Sequence, residues 1–408
     1  MICIRSIQTF LFAIGLSGGT ASAYQGLEQG AHETNIQAAY RTVINRPSIS
    51  FKYAGFETIP AGIAGDRKVV FIGFPMEGRV GVLERRTGLP LGDLPAPESG
   101  FMMPFILHSV GPNRVAVLDA GGFPSPQPFF PANPTIYEYE YEQDAGGEFH
   151  ARLTNSINFK SVEIGFAEDF VKLPNGRYVI SDAILGAIWL ADSNNGIVEP
   201  GIVPQSRAAT DAIPKLTMCP DMPMMQVGGI PFLFTGSTLP GISPLALRFD
   251  KLYFYSPCAE GLYSIPLSAF SDERLPHERA SDIRLVSPKP ADTTAEQLLG
   301  LSFPSNRPDS PWLYAADSLQ QRVIRINVNT GQRQVVAADP SLFNFPSSMA
   351  FLPPLVDFLS ISPLLVISNQ QHLLTLTNDA LEFDMPQIPF LATTIVVGAA
   401  GSILSGMR

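Results

Sequence analysis

Cysteine, charge and helical periodicity are all in short supply in this chain of 408 residues. With only three cysteines it is not a disulfide-dense scaffold. No C-x-x-C, H-E-x-x-H, phosphate-loop or G-x-G-x-x-G run is present, which removes the common zinc, nucleotide and dinucleotide sites. Nor does a G-x-S-x-G elbow mark a serine nucleophile. Charged residues make up 16% of the chain, and the net charge of -10 comes without any basic run, which argues against nucleic acid and anionic membranes as partners. The apolar stretch Phe390 to Leu404 is short of the about 20 residues that a membrane helix needs. The one Asn-x-Thr triplet, at Asn133, is blocked by Pro134.

What the chain has in quantity is the material of short strands and turns: 45% hydrophobic residues, 37 prolines and 34 glycines. Arg177 to Asp192, RYVISDAILGAIWLAD, is the clearest case, with two period-two strands broken at Asp182 to Gly186. The turn residues Pro174, Asn175 and Gly176 feed it from an earlier strand, Asp169 to Leu173. The pattern recurs as RVAVLDAGG at Arg114, KLYFYSPCAEGLYSIPL at Lys251, WLYAADSLQQRVIRINVNTG at Trp312 and LLVISNQQHLLTL at Leu364, with a shortened form at Lys68. The loops after the second strands fall at Gly73, Asp119, Asp182, Ser256, Asp317 and Asn369, at intervals that suit four-stranded units with insertions. Phe123 to Pro134 and the Met- and Pro-rich Ser206 to Leu239 are two such insertions. Six units in a ring predict an all-β, six-bladed β-propeller of four-stranded antiparallel blades around a central channel.

The ends read differently. Arg5, the apolar core Thr9 to Leu16 and the small residues Ala21-Ser22-Ala23 predict a secretory leader over residues 1–23, with export of a chain that begins at Tyr24. Residues 24–66 read as an entry segment with a first strand at Ser50 to Tyr53, residues 67–388 as the propeller, and 389–408 as a closing strand, Thr393 to Val397, with a tail. Cys3 leaves with the leader. Cys219 and Cys258 remain in an oxidising compartment and are expected to pair as a disulfide, the alternative being two buried thiols.

RYVISDAILGAIWLAD and WLYAADSLQQRVIRINVNTGQ resemble the gluconolactonase, senescence-marker and luciferin-regenerating propellers. RVAVLDAGG, IGFAEDFVKLPNGRYVISD, SPLALRFDKLYFYSP and FPSSMAFLPP…LLVISN resemble the yellow and major-royal-jelly branch, in the same order. The resemblance covers about Lys68 to Asn378. It implies a site at one channel mouth, built by the loops that enter each innermost strand and those that follow each second strand. It also implies calcium in the lactonase members, held by oxygen ligands from several blades. Here those ligand places align with Pro60, Glu168 or Asp169, Ser243 and Leu299, so only the third blade offers an acid. Calcium is thus expected to be weak at Glu168 and Asp169 or absent, and no cofactor is expected.

The candidate catalytic residues are Glu168, Asp169, Asp182 and His372, since carboxyls and imidazole are the groups that move protons near neutral pH. His108 is a further histidine of the same kind, ranked below His372. The candidate substrate-binding set is Met102, Met103, Phe105, Asp119, Ser256, Leu299, Asp317, Asn344, Phe345 and Asn369, whose apolar and soft members suit a greasy ligand. An Asp just past a strand also serves to fix the turn, which is the competing role for Asp119, Asp182 and Asp317. The sequence therefore predicts a secreted, monomeric propeller enzyme that acts without metal on an apolar small molecule. The form suggested by resemblance to fungal natural-product propellers is a hetero-Diels–Alder cyclisation. Calcium-dependent lactone hydrolysis and amine binding of the yellow type are the alternatives.

Overall fold

The computed structural model describes residues 48–122, 133–144, 146–202, 224–233, 241–257, 259–271, 274–290, 296–304, 309–354 and 362–397. Six four-stranded antiparallel sheets form the blades of a propeller. Blade one is β2 (Ile63–Gly65), β3 (Val69–Phe74), β4 (Arg79–Glu84) and β5 (Pro90–Asp93). Blade two is β6 (Pro104–Gly111), β7 (Arg114–Asp119), β8 (Thr135–Gln143) and β9 (Phe149–Asn158). Blade three is β10 (Ala167–Lys172), β11 (Arg177–Asp182), β12 (Ala187–Asp192) and β13 (Val198–Ile202). A two-stranded hairpin follows, β14 (Met225–Val227) with β15 (Ile230–Phe232). Blade four is β16 (Leu245–Arg248), β17 (Lys251–Tyr255), β18 (Gly261–Pro266) and β19 (Arg284–Pro288), and blade five is β20 (Leu298–Ser302), β21 (Trp312–Asp317), β22 (Arg322–Asn327) and β23 (Arg333–Ala338).

Blade six is sewn from both ends of the chain. Its order runs β24 (Pro346–Phe351), β25 (Pro363–Ser368), β26 (Phe390–Val397) and then β1 (Ser48–Phe56). The propeller therefore takes two strands, β1 and β2, from residues 24–66 and one, β26, from residues 389–408, the segments that sequence had set outside residues 67–388. The strand expected at Ser50 to Tyr53 is the outermost strand of the last blade, and the closing strand expected at Thr393 to Val397 starts earlier, at Phe390.

Burial peaks at the second strand of each blade and falls towards the rim. The second strands β3, β11 and β21 are buried on both faces, whereas the outer strands β9 and β23 are largely exposed. Strands covered on both sides read as continuous apolar runs, which is why VVFIGF and RYVISD dominate the sequence signal. The core is six seams between neighbouring blades rather than one centre. Phe71 and Val115 meet between blades one and two, Ile136 and Ile180 between two and three, and Ile188 and Phe254 between three and four. Tyr255 and Leu313, Ala316 and Val366, and Ile72 and Ile367 fill the other three. Each fully buried side chain of this kind contributes about 1.5–3 kcal/mol by leaving water. The Cys219–Cys258 pairing, the leader and the insertion Phe123 to Phe130 lie outside the described residues.

Candidate functional site

Each innermost strand lines the axis, and four of the six carry a bulge at their second residue. The register slips at Phe105, Glu168, Leu299 and Ser347. A bulge leaves one residue unpaired and re-aims its side chain. Phe105, Glu168 and Leu299 are accordingly half-buried, Glu168 and Leu299 between buried neighbours, as residues facing a void would be. In blade four the place is taken by Ser243, whose N–H donates to the Tyr255 carbonyl at 3.1 Å. The ring thus holds one carboxyl among apolar and hydroxyl groups.

That carboxyl is unusual. Burial pushes Glu168 up to about 7; the hydroxyl of Ser243, donating to Oε1 at 3.2 Å, opposes this, and the charge of Asp169 adds to it. Near neutral pH Glu168 can therefore either give or take a proton. Asp169 next to it is held differently. Oδ1 meets Nε2 of His108 at 2.8 Å and accepts the Phe170 N–H at 2.8 Å, while Oδ2 accepts the Leu245 N–H at 2.8 Å. Ser181 ties the two acids together: its hydroxyl accepts from Asp169 N at 3.0 Å and donates to the Ser243 carbonyl at 2.6 Å.

Other expected members of the site are structural. Asp182 is fully buried and accepts from the N–H groups of Gly165, Phe166, Ile184 and Leu185 and from the Trp189 indole, at 2.7–3.2 Å. With its oxygens so occupied, Asp182 staples the turn. Asp119 does the same for Met102, Met103 and Gly121, at 2.7–3.0 Å, although burial raises its pKa. Asp317 accepts from Arg322 Nε at 2.8 Å, is likewise raised by burial, and keeps Oδ1 without a partner. His372, the other expected catalytic residue, lies in the interior. It is 2% exposed, stacks on Phe345 at 5.5 Å, and burial lowers its pKa to about 4, so it is neutral and has no carboxylate to orient it.

The expected mouth is not an open apolar funnel. Phe345 is fully buried, held at φ 63°, and packs edge-on against Phe232 at 5.2 Å. Phe232, Val227 and Met225 of the β14–β15 hairpin cover Phe345, Leu319 and Leu299. This hairpin is the described part of the Ser206 to Leu239 insertion, and Asn378 fastens it. The Asn378 amide donates to the carbonyls of Pro231 (2.9 Å) and His372 (2.7 Å), and its oxygen accepts the Leu233 N–H at 3.0 Å. Met103 is buried with Phe105 in a cluster over blades two and three, and Met102 points outward, 62% exposed. Asn344 accepts from Gln321 at 3.1 Å. Ser256 Oγ and Asn369 Oδ1 are buried without hydrogen-bond partners, as are Ser347 Oγ of the bulge ring and Asp317 Oδ1.

A partly open space lies further along the axis, past the bulges. A cavity of about 340 Å³ is lined by all six innermost strands, among them Ile63, His108, Val171, Leu245, Leu301 and Met349. His108 is the one titratable side chain in its wall. Sequence ranked this histidine below His372; its partner Asp169 arrives from the next blade, 61 residues away.

Calcium takes about six to eight oxygen ligands. The bulge ring offers one carboxyl, and the carboxylate of Asp169 is already bound by three donors. These residues do not fit a calcium centre. Among the described residues one set of metal-type side chains converges, Asp144, Glu148 and His150, exposed at the β8–β9 turn and away from the channel.

No protein-family model matches the sequence, and no curated relative matches it. Solved structures do match in fold. A luciferin-regenerating enzyme shares 14% identity over 87% of this chain and 98% of its own, with a TM-score of 0.51. A gluconolactonase from Xanthomonas campestris shares 11% over 86% and 90% (TM-score 0.48), and a calcium-binding regucalcin from Agrobacterium tumefaciens shares 13% over 85% and 92% (TM-score 0.45). At these identities the likeness is one of architecture: the chain is a six-bladed propeller of the shape that the luciferin-regenerating enzyme also has.

Proposed function

We propose that this propeller is an enzyme that takes an apolar small molecule into its central channel and acts on it with Glu168, without a divalent ion. The observation that supports this reading is the placement of a single carboxyl, raised to about 7 by burial, in a bulge ring whose other side chains include Phe105 and Leu299. A neutral carboxyl in such surroundings donates a strong hydrogen bond to a carbonyl oxygen, and a shaped apolar wall orients the rest of the molecule. Those two contributions are what a hetero-Diels–Alder cyclisation requires, since no proton need be lost and no nucleophile supplied. Amine binding is less well supported, because Asp119 and Asp182 are spent on backbone donors. Export through the leader at residues 1–23 belongs to the same proposal.

The test is incubation of a conjugated enone bearing a tethered alkene with wild type and with Glu168→Ala. Acceleration by wild type that falls at least about 100-fold in the variant supports the reading. Equal rates with both proteins, or no acceleration over buffer, sink it.

A further inference from the structure

We infer that the channel end away from the bulge ring is a second ligand site, which binds an uncharged aromatic compound through one hydroxyl. The site does not depend on Glu168. Its space of about 340 Å³ is walled by the far ends of the innermost strands, where Gly65, Ser302 and Phe351 end β2, β20 and β24. One side is open, so a ligand exchanges with solvent there. Pockets for small molecules run from about 300 to 1,000 Å³, and this one stands at the small end, which suits a body of one or two rings.

His108 is the group that holds the ligand. Its ring comes from β6, and Nε2 meets Oδ1 of Asp169, from β10 of the next blade, at 2.8 Å. Asp169 is 7% exposed, and its oxygens also accept the N–H groups of Phe170 and Leu245. A carboxylate takes donors, so the neutral imidazole carries its hydrogen on Nε2 and presents a lone pair at Nδ1. Among the described residues Nδ1 has no hydrogen-bond partner. Phe170, edge-on at 4.9 Å, limits rotation of the ring. With 29% of its side chain open, His108 is an acceptor fixed in direction and facing the space.

The rest of the wall decides what can meet that acceptor. Val171, Leu245, Leu301, Met349 and Phe351 make it apolar. Ser109 donates to the Gly65 carbonyl at 3.0 Å and is spent, whereas Ser302 accepts from Phe351 N at 3.3 Å and keeps its own proton. A cation would give up water for a wall whose one nearby carboxylate lies behind the imidazole with its oxygens taken. An anion would meet the Nδ1 lone pair with Asp169 behind it. A hydroxyl on an apolar body suffers neither cost, since its hydrogen goes to Nδ1. Methionine sulfur and aromatic edges favour flat rings over alkyl chains, so a phenol is the preferred form. His108, Val171 and Leu247 also line a neighbouring groove of about 500 Å³, which leaves room for a substituent on the ring.

The experiment is isothermal titration of the full chain with 2-naphthol and with 2-methoxynaphthalene, which has the same rings and no O–H. Wild type is expected to bind 2-naphthol one to one with a Kd of about 10–100 μM, ordinary for a ligand of this size. It should bind the methoxy compound at least about 10-fold more weakly, because Nδ1 then stays unpaired. His108→Phe keeps a ring and removes the acceptor; it is expected to bind the two compounds equally. Met349→Trp fills the space and is expected to bind neither. The inference is overturned if wild type shows no saturable binding of 2-naphthol, or binds both compounds equally. It is also overturned if folded His108→Phe keeps the preference, or folded Met349→Trp keeps the affinity. The two compounds on wild type decide the matter even if neither variant folds. These readings are of equilibrium binding, whereas the Glu168 proposal is read from the rate of enone cyclisation, so the two fail separately.

Discussion

Replacing Glu168 by glutamine changes the way stability depends on pH. In the unfolded chain the carboxyl titrates near 4.5, and in the folded protein burial lifts it to about 7. Below pH 4.5 it is neutral in both states and costs nothing. Between the two values the unfolded chain has released a proton that the folded chain still holds, so the folded state loses ground as pH rises; above about 7 that loss is complete. At 1.36 kcal/mol per pKa unit, the difference amounts to roughly 3 kcal/mol, an upper figure because the channel face of Glu168 admits water. Glutamine keeps the shape and can still accept from Ser243, but it cannot ionise. Guanidinium unfolding at pH 4 and at pH 8 should therefore show wild type and Glu168→Gln equally stable at pH 4. At pH 8 the variant should be more stable by up to about 3 kcal/mol, a large fraction of ordinary domain stability. A wild type to variant difference that is the same at both pH values would refute the argument, because it would mean that Glu168 is not held away from water.

Three further outcomes are expected. Asp182→Ala strips an acceptor from five donors, two of them buried and three partly so, and should cost at least about 3 kcal/mol in denaturant unfolding, given about 1–3 kcal/mol for each buried group left unpaired; a loss below about 1 kcal/mol contradicts the staple role. Asn378→Ala should free the β14–β15 hairpin, so that limited proteolysis cuts near Gly228 and Gly229 long before the blades are touched; unchanged protection there means that Phe232 and Val227 hold the hairpin by themselves. Millimolar calcium should leave the melting temperature unmoved, since the bulge ring supplies one carboxyl; a stoichiometric, saturable rise would restore the calcium-dependent alternative.

The blades were legible because their signals are local. Arg177 to Asp192 states its two strands and its turn within sixteen residues, and an Asp at the end of a second strand announces a staple, as Asp182 and Asp119 turned out to be. The site was harder to read because it is made between blades. His108 and Asp169 are 61 residues apart and share no periodicity, so nothing in either stretch points to the other. The bulges that select Glu168 over Asp169 for the channel are single-residue slips that leave an apolar run looking continuous. His372 looked more promising than His108 because it follows Asn369 closely, but closeness to a loop says nothing of burial, and a stacked, neutral imidazole under Phe345 moves no protons. Asn378 was missed for the same reason: its partners at Pro231 and Leu233 sit 147 and 145 residues back, in an insertion with little pattern of its own.

The sixth blade carries a consequence for how the molecule is made. Of the described strands β1 leaves the ribosome first, and β26, which it must zip against from Ser48↔Val397 to Phe56↔Phe390, leaves it last. Until then β1 is an unmatched edge that must avoid the wrong neighbours while five blades assemble in order. Once joined, it acts as a clasp. A single cut in a loop between two blades opens the chain but leaves every seam in place, so loss of the ring requires two separate breaks or the peeling of β1 itself.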